Sequence, residues 1–112
     1  MQMFKQKHSP LSEAEIKKIS ASVGEDELGL ARVFSALGDP GRFKIFSILV
    51  DINEMCVTDI AHTLGVSIPA ASQQLRILEN ARLVKKERMG QTICYELNTK
   101  DPLVVRLIKI IK

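Results

Sequence analysis

The sequence predicts a mainly α-helical domain with a small β-hairpin, in the order of a winged helix-turn-helix. Three observations predict it. Two short helical segments meet through Gly65-Val66-Ser67. A period-two pattern with a glycine turn follows at once, over 84–97. Positive charge gathers at the C-terminal end: residues 1–75 carry 7 Lys and Arg against 9 Asp and Glu, and residues 76–112 carry 9 against 4. A basic segment beside a nearly neutral one points to a polyanion partner.

The elements can be justified in order. Ser12 and Glu15 have the spacing of a capping box, in which each satisfies a free N–H group of a helix. Leu11 and Ile16 sit where a hydrophobic staple packs, and Ile16, Ile19 and Val23 form an apolar stripe that ends at Gly24. A second helix is expected over 26–37, with Leu30, Val33, Phe34 and Leu37 inward and Gly38 as its stop. Asp39-Pro40 reads as N-cap plus first helical residue, because Pro has no N–H to lose there. The helix that follows buries Ile45, Ile48 and Leu49 and ends around 50–53.

Thr58 is the expected N-cap of a short helix, 59–64, closed by Gly65. Ser67 caps the next helix, which has Pro69 in its first turn and Ala71, Leu75 and Leu78 as its inner stripe. The small Ala61, four residues before Gly65, lets the two helices approach, and the pair reads as a helix-turn-helix over 57–80. An ordinary helical hairpin would share this pattern, but not what comes after it. Val84 to Arg88 reads as a strand, Gly90 as a turn, and Ile93, Tyr95 and Leu97 alternate with Thr92, Cys94 and Glu96 as in a half-buried strand. Together they make a basic wing over 84–97. Asp101-Pro102 opens a last helix over 101–112, with Leu103, Val104, Leu107, Ile108 and Ile111 on one face. Val105 and Ile110 add apolar surface elsewhere, more than one small core covers.

With 112 residues the chain is expected to be a single domain over 1–112, with a helical arm at 1–24. No apolar run approaches the ~20 residues of a membrane span. Met1 to Ser9 lack the apolar centre of a secretory signal. The expected protein is soluble and cytoplasmic, and Cys56 and Cys94 are expected as buried reduced thiols. No nucleophile with a partner base, carboxylate pair or phosphate loop appears, so an enzyme is not expected and no cofactor is predicted.

In a helix-turn-helix the second helix enters the major groove, and its first turns face base edges. Ser67, Ile68, Ala70, Ser72 and Gln73 are the base-reading candidates here. Gln73 leads, because an amide can bond an adenine edge bidentately; Ile68 or Ala70 suit a thymine methyl. Gln74, Arg76, Lys85, Lys86, Arg88 and Gln91 are the candidates for phosphate and wing contacts, which set register and affinity without reading sequence. The alternative is a winged-helix module that pairs with protein.

Several runs carry a family resemblance: 36–42 (Ala-Leu-Gly-Asp-Pro-Gly-Arg), 54–61 (Glu-Met-Cys-Val-Thr-Asp-Ile-Ala), 64–67 (Leu-Gly-Val-Ser), 71–75 (Ala-Ser-Gln-Gln-Leu), Gly90-Gln91 and Tyr95-Glu96-Leu97. In this order and spacing, from about Glu27 to Leu107, the chain resembles the ArsR/SmtB family of bacterial repressors. The resemblance implies a homodimer on double-stranded operator DNA, released by an inducer that is often a metal ion. It also implies that the N-terminal and C-terminal helices, 101–112 included, build the dimer. Metal-sensing relatives place Cys-Val-Cys where this chain has Cys56-Val57-Thr58, so Cys56 is a weak metal candidate. Met1, Met3 and His8 are the only soft or nitrogen donors of the arm, and 98–112 hold no His. His62 reads as a lone surface histidine. Oxidation or persulfidation of Cys56 or Cys94 is one alternative, beside an unknown effector, a protein partner or no effector, so the effector stays open.

Overall fold

Short polar side chains decide where four of the helices begin. In the computed structural model, which describes residues 10–24, 26 and 29–112, α1 spans Glu13–Ser22, α2 Leu30–Leu37, α3 Pro40–Asp51, α4 Val57–Leu64, α5 Ile68–Asn80 and α6 Pro102–Ile111. Ser12 and Glu15 close the expected capping box on α1. The Asp39 carboxylate accepts from Arg42 N at the head of α3, Ser67 Oγ from Ala70 N at the head of α5, and Asp101 from Leu103 N at the head of α6. Each satisfies a donor that the helix itself leaves free. Met1, Met3, His8 and Glu27 lie outside the described residues.

Two boundaries differ from expectation. The helix expected over 26–37 begins at Leu30, with Gly29 left-handed (φ 75°) before it, and the Asp26 carboxylate reaches forward to the N–H groups of Leu30 and Ala31. The helix expected at Asp59 begins at Val57 and has Cys56, not Thr58, at its N-cap. The reason is a short strand that the sequence reading lacked: β1, Glu54–Cys56, delivers an extended residue directly to the helix.

β2 (Val84–Met89) and β3 (Thr92–Leu97) form the expected hairpin, joined by Gly90-Gln91 with Gly90 at φ 69°. That positive φ favours glycine. β3 lies between β1 and β2 in an antiparallel sheet, so the wing is three-stranded at its base. Its register pairs Met55 with Tyr95, Cys56 with Cys94, Lys86 with Tyr95 and Arg88 with Ile93.

The core gathers α3, α5 and the base of the sheet. Ile45, Phe46 and Leu49 of α3 meet Ala71, Leu75 and Leu78 of α5, with Leu83, Val84 and Val104 closing the cluster. Phe46 is fully buried although the sequence reading passed it over. Four residues of the expected apolar stripes stand outside this core: Ile16, Val23, Leu30 and Phe34 are exposed, Phe34 at 69%. None of the residues of α1 is buried, and Leu11 and Ile16 are both exposed. The C-terminal helix is anchored through its cap. Arg32 of α2 donates to the Ala81 carbonyl and to the Asp101 carboxylate, tying α2, the end of α5 and α6 together.

Candidate nucleic-acid interface

α4, Gly65 and α5 place one helix on the surface with a polar outer face. Gly65 adopts φ 68°, a left-handed turn that accepts glycine without cost and reverses the chain between the helices. Ala61 is buried at the crossing, where a small side chain permits close approach. On α5, the inner stripe of Ala71, Leu75 and Leu78 has no exposure, so its orientation is set by the core. Ser67, Ile68, Ala70, Gln73 and Arg76 therefore face outward, and Ser72 is half-buried. Ser67 Oγ is already an acceptor in the helix cap, which leaves its O–H free to donate.

Gln74, expected to touch phosphate, has both ends of its amide engaged within the fold. Its Nε2 donates to Asp39 Oδ2 at 3.0 Å, and its Oε1 accepts from Arg42 Nη1 at 3.0 Å. Arg42 also donates through Nε to the Ala36 carbonyl at 2.7 Å. α5 is thus held to the head of α3 by an amide whose two ends are both engaged. The Asp39 carboxyl is held below its ordinary value, chiefly by the Arg42 N–H, with the Arg42 charge and the Gln74 amide adding to it against the cost of burial. Sequence spacing did not show this network, because its members lie 32 and 35 residues apart. The runs Asp39–Arg42 and Ser72–Gln74 were both visible, but not their contact.

The wing divides its charges between two faces. Residues directly opposite in an antiparallel pair share a face. Lys86 and Arg88 therefore share the face of Tyr95 and Ile93, while Lys85 lies on the other. There Lys85 Nζ sits 3.2 Å from Glu96 Oε1, an ion pair that engages its charge. Tyr95 is close enough to α5 to feel it electrically: burial pushes its hydroxyl pKa up, the Glu79 charge adds to this, and Arg76 opposes it. Lys86 and Arg88 thus lie on the Tyr95 face of the wing, and Arg76 of α5 acts electrically on that same tyrosine. Gln91 is exposed at the wing turn.

The cysteines depart most from expectation. Cys56 and Cys94, expected as separate reduced thiols, are joined in a disulfide across β1 and β3. They lie 38 residues apart, and the missing β1 strand is what makes them neighbours. Among the described residues, no group of three or more His, Cys, Asp or Glu is placed to hold a metal ion. No described helix is long and apolar enough to cross a membrane.

Known proteins share this arrangement. Residues 39–86 match the bacterial regulatory protein, arsR family. A transcriptional repressor SmtB homolog of Synechocystis sp. is 47% identical over 68 residues, 61% of this chain and 51% of the relative, so the match spans about half of that protein. A cadmium resistance transcriptional regulatory protein CadC homolog of Staphylococcus aureus is 35% identical over 85 residues, 76% of this chain and 69% of the relative. Among solved structures, the homodimeric winged helix-turn-helix DNA-binding domain from Mycobacterium bovis superposes with a TM-score of 0.66 at 26% identity, covering 92% of this chain and 85% of that one. The matched span contains α3, α4, α5 and the start of the wing, the elements that place the outward face of α5. The chain belongs to the arsR family of bacterial regulatory proteins, transcriptional regulators with a winged helix DNA-binding fold.

Proposed function

We propose that this protein is a repressor that binds operator DNA as a homodimer in the cytoplasm. α5 enters the major groove, Gln73 reads a base edge, and Ser67, Ile68, Ala70 and Ser72 shape the contact around it. Arg76, Lys86 and Arg88 neutralise phosphates on either side, and Gln91 at the wing turn reaches the adjacent groove. Gln74 and Lys85 are left out of this set because their polar groups are already engaged within the fold. The observation that carries the reading is the exposed polar face of α5, whose orientation is set by its fully buried stripe of Ala71, Leu75 and Leu78.

The dimer is supported by apolar surface that one copy leaves uncovered. Leu30, Phe34, Leu103, Leu107 and Ile110 border a groove of about 220 Å³ between α2 and α6, and Phe34 and Ile110 are 69% and 78% exposed. Contiguous apolar surface of this kind is characteristic of a protein interface. A two-fold dimer presents two reader helices, which calls for an operator with two related half-sites.

Selection of bound sequences from random duplex DNA tests the proposal. The expected result is a palindromic site with half-sites about one helical turn apart and an affinity that falls steeply with salt. A selection without sequence enrichment, or a log Kd that does not move with log salt, points instead to a module that pairs with protein.

A further inference from the structure

The Cys56–Cys94 disulfide joins two parts that the proposed DNA contact uses together. Cys56 is the N-cap of α4, the first helix of the helix-turn-helix, and Cys94 is in the strand whose other neighbour, across Glu87, is the outer strand of the wing. We propose that these cysteines are a reversible thiol–disulfide switch, in which the dithiol form binds operator DNA and the disulfide form releases it. The inference rests on the operator-binding reading given above and adds its regulation.

Placement and accessibility carry the argument. Cys94 is 1% exposed, whereas Cys56 is half-buried at the edge of an open groove that also exposes Asp59 and His62. Small oxidants and reductants therefore reach the Cys56 sulfur, and Cys94 waits behind it as the resolving thiol. In a reducing compartment a disulfide between paired strands is transient and redox-sensing rather than a permanent staple. With a hydroperoxide as oxidant, the Cys56 thiolate attacks the peroxide oxygen, forming a sulfenic acid and releasing water or an alcohol. The Cys94 thiol then displaces the sulfenic oxygen as a second water, and its sulfur bonds to Cys56. Two thiols lose two electrons and two protons, and the peroxide gains them. A dithiol reductant reverses the reaction by exchange and is itself oxidised to a disulfide.

Two consequences reach the DNA contact. In the disulfide the Cys56 sulfur is bonded to Cys94, and α4 has no side-chain cap on its free N–H groups. Reduction frees the Cys56 side chain to rotate toward those N–H groups. Reduction also leaves β1, a three-residue strand, joined to β3 by backbone pairing alone, so the wing can adjust against α4 and α5 as both engage the duplex. The disulfide denies that adjustment.

The test uses the full chain and the enriched duplex from the selection. Protein treated with dithiothreitol and protein treated with hydrogen peroxide are compared by fluorescence anisotropy, with intact mass under non-reducing conditions reporting the loss of two hydrogens. The expected result is weaker binding in the oxidised form, read as a rise in Kd. Cys94→Ser and Cys56→Ser are expected to bind like the reduced protein under both treatments, and serine at position 56 keeps a capping residue. Equal affinities in the two redox states, or tighter binding when oxidised, overturn the switch while leaving the operator reading intact. A purely structural bond would lower the melting temperature on reduction and leave the affinity ratio at one. Absence of sequence-specific binding in both states overturns both proposals.

Discussion

Gln74 and Asp39, on different helices, are joined by a hydrogen bond of 3.0 Å that fixes the reader helix to the head of α3. Gln74→Ala removes this bond and the one from Arg42, leaving a half-buried carboxylate and guanidinium with one partner fewer each. The expected cost is roughly 1–2 kcal/mol of stability, seen in urea unfolding. DNA affinity is expected to fall on every sequence alike, since Gln74 positions α5 and reads nothing. Loss confined to the cognate site would show that Gln74 contacts bases.

Gln73 and Lys86 separate reading from positioning. Gln73→Ala is expected to cost roughly 1–3 kcal/mol of binding on the cognate duplex and little on random DNA. Lys86→Ala is expected to weaken both and to reduce the salt slope by about one. Equal losses for both variants on both duplexes would contradict the assignment.

Asp101 predicts a pH dependence of stability. Burial raises its carboxyl pKa, but the Leu103 N–H, the Arg32 guanidinium and the Arg82 charge outweigh this and hold it below the ordinary value. A depressed folded pKa contributes stability that is fully present above the unfolded value near ~4 and is lost as pH falls through the folded value. Asp101→Asn keeps a capping residue and removes the charge. It is expected to be less stable than wild type by about 1–2 kcal/mol at neutral pH, with the gap closing as pH falls through the depressed folded value. A gap that persists unchanged in acid, measured by thermal melts across the range, would assign the loss to packing instead.

Phe34 and Ile110 test the dimer. A charge placed on either side of their groove would be desolvated in an interface and costs nothing on a free surface. Phe34→Asp is therefore expected to shift sedimentation equilibrium toward monomer and to weaken operator binding by more than tenfold, while the monomer keeps its helical circular dichroism. An unchanged association state would place the interface elsewhere.

Much of this fold could be read along the chain because its signals are local. Ser12, Asp39, Ser67 and Asp101 each begin a helix by satisfying N–H groups two or three residues ahead, so the whole interaction fits within one turn of sequence. The stripe Ala71, Leu75 and Leu78 showed which face of α5 is buried, and hence which is outward. β1 was not legible: three residues carry too little alternation to mark a strand, and only pairing with β3 makes them one. Phe34 was misjudged for a related reason. Its apolar character was plain, but the core of one copy lies elsewhere.

Local sequence sets the starts of α1, α3, α5 and α6, the glycine turn at Gly65, the hairpin about Gly90 and the outward face of α5. These depend on backbone geometry and on side chains within a few residues of one another. Tertiary structure decided that Gln74 grips Asp39 and Arg42, that Lys85 turns to Glu96 while Lys86 and Arg88 share the face of Tyr95 and Ile93, and that Cys56 meets Cys94. Each of those results depends on strand register or on the packing of one helix against another, and a residue's chemistry does not specify which distant group the fold brings within bonding range.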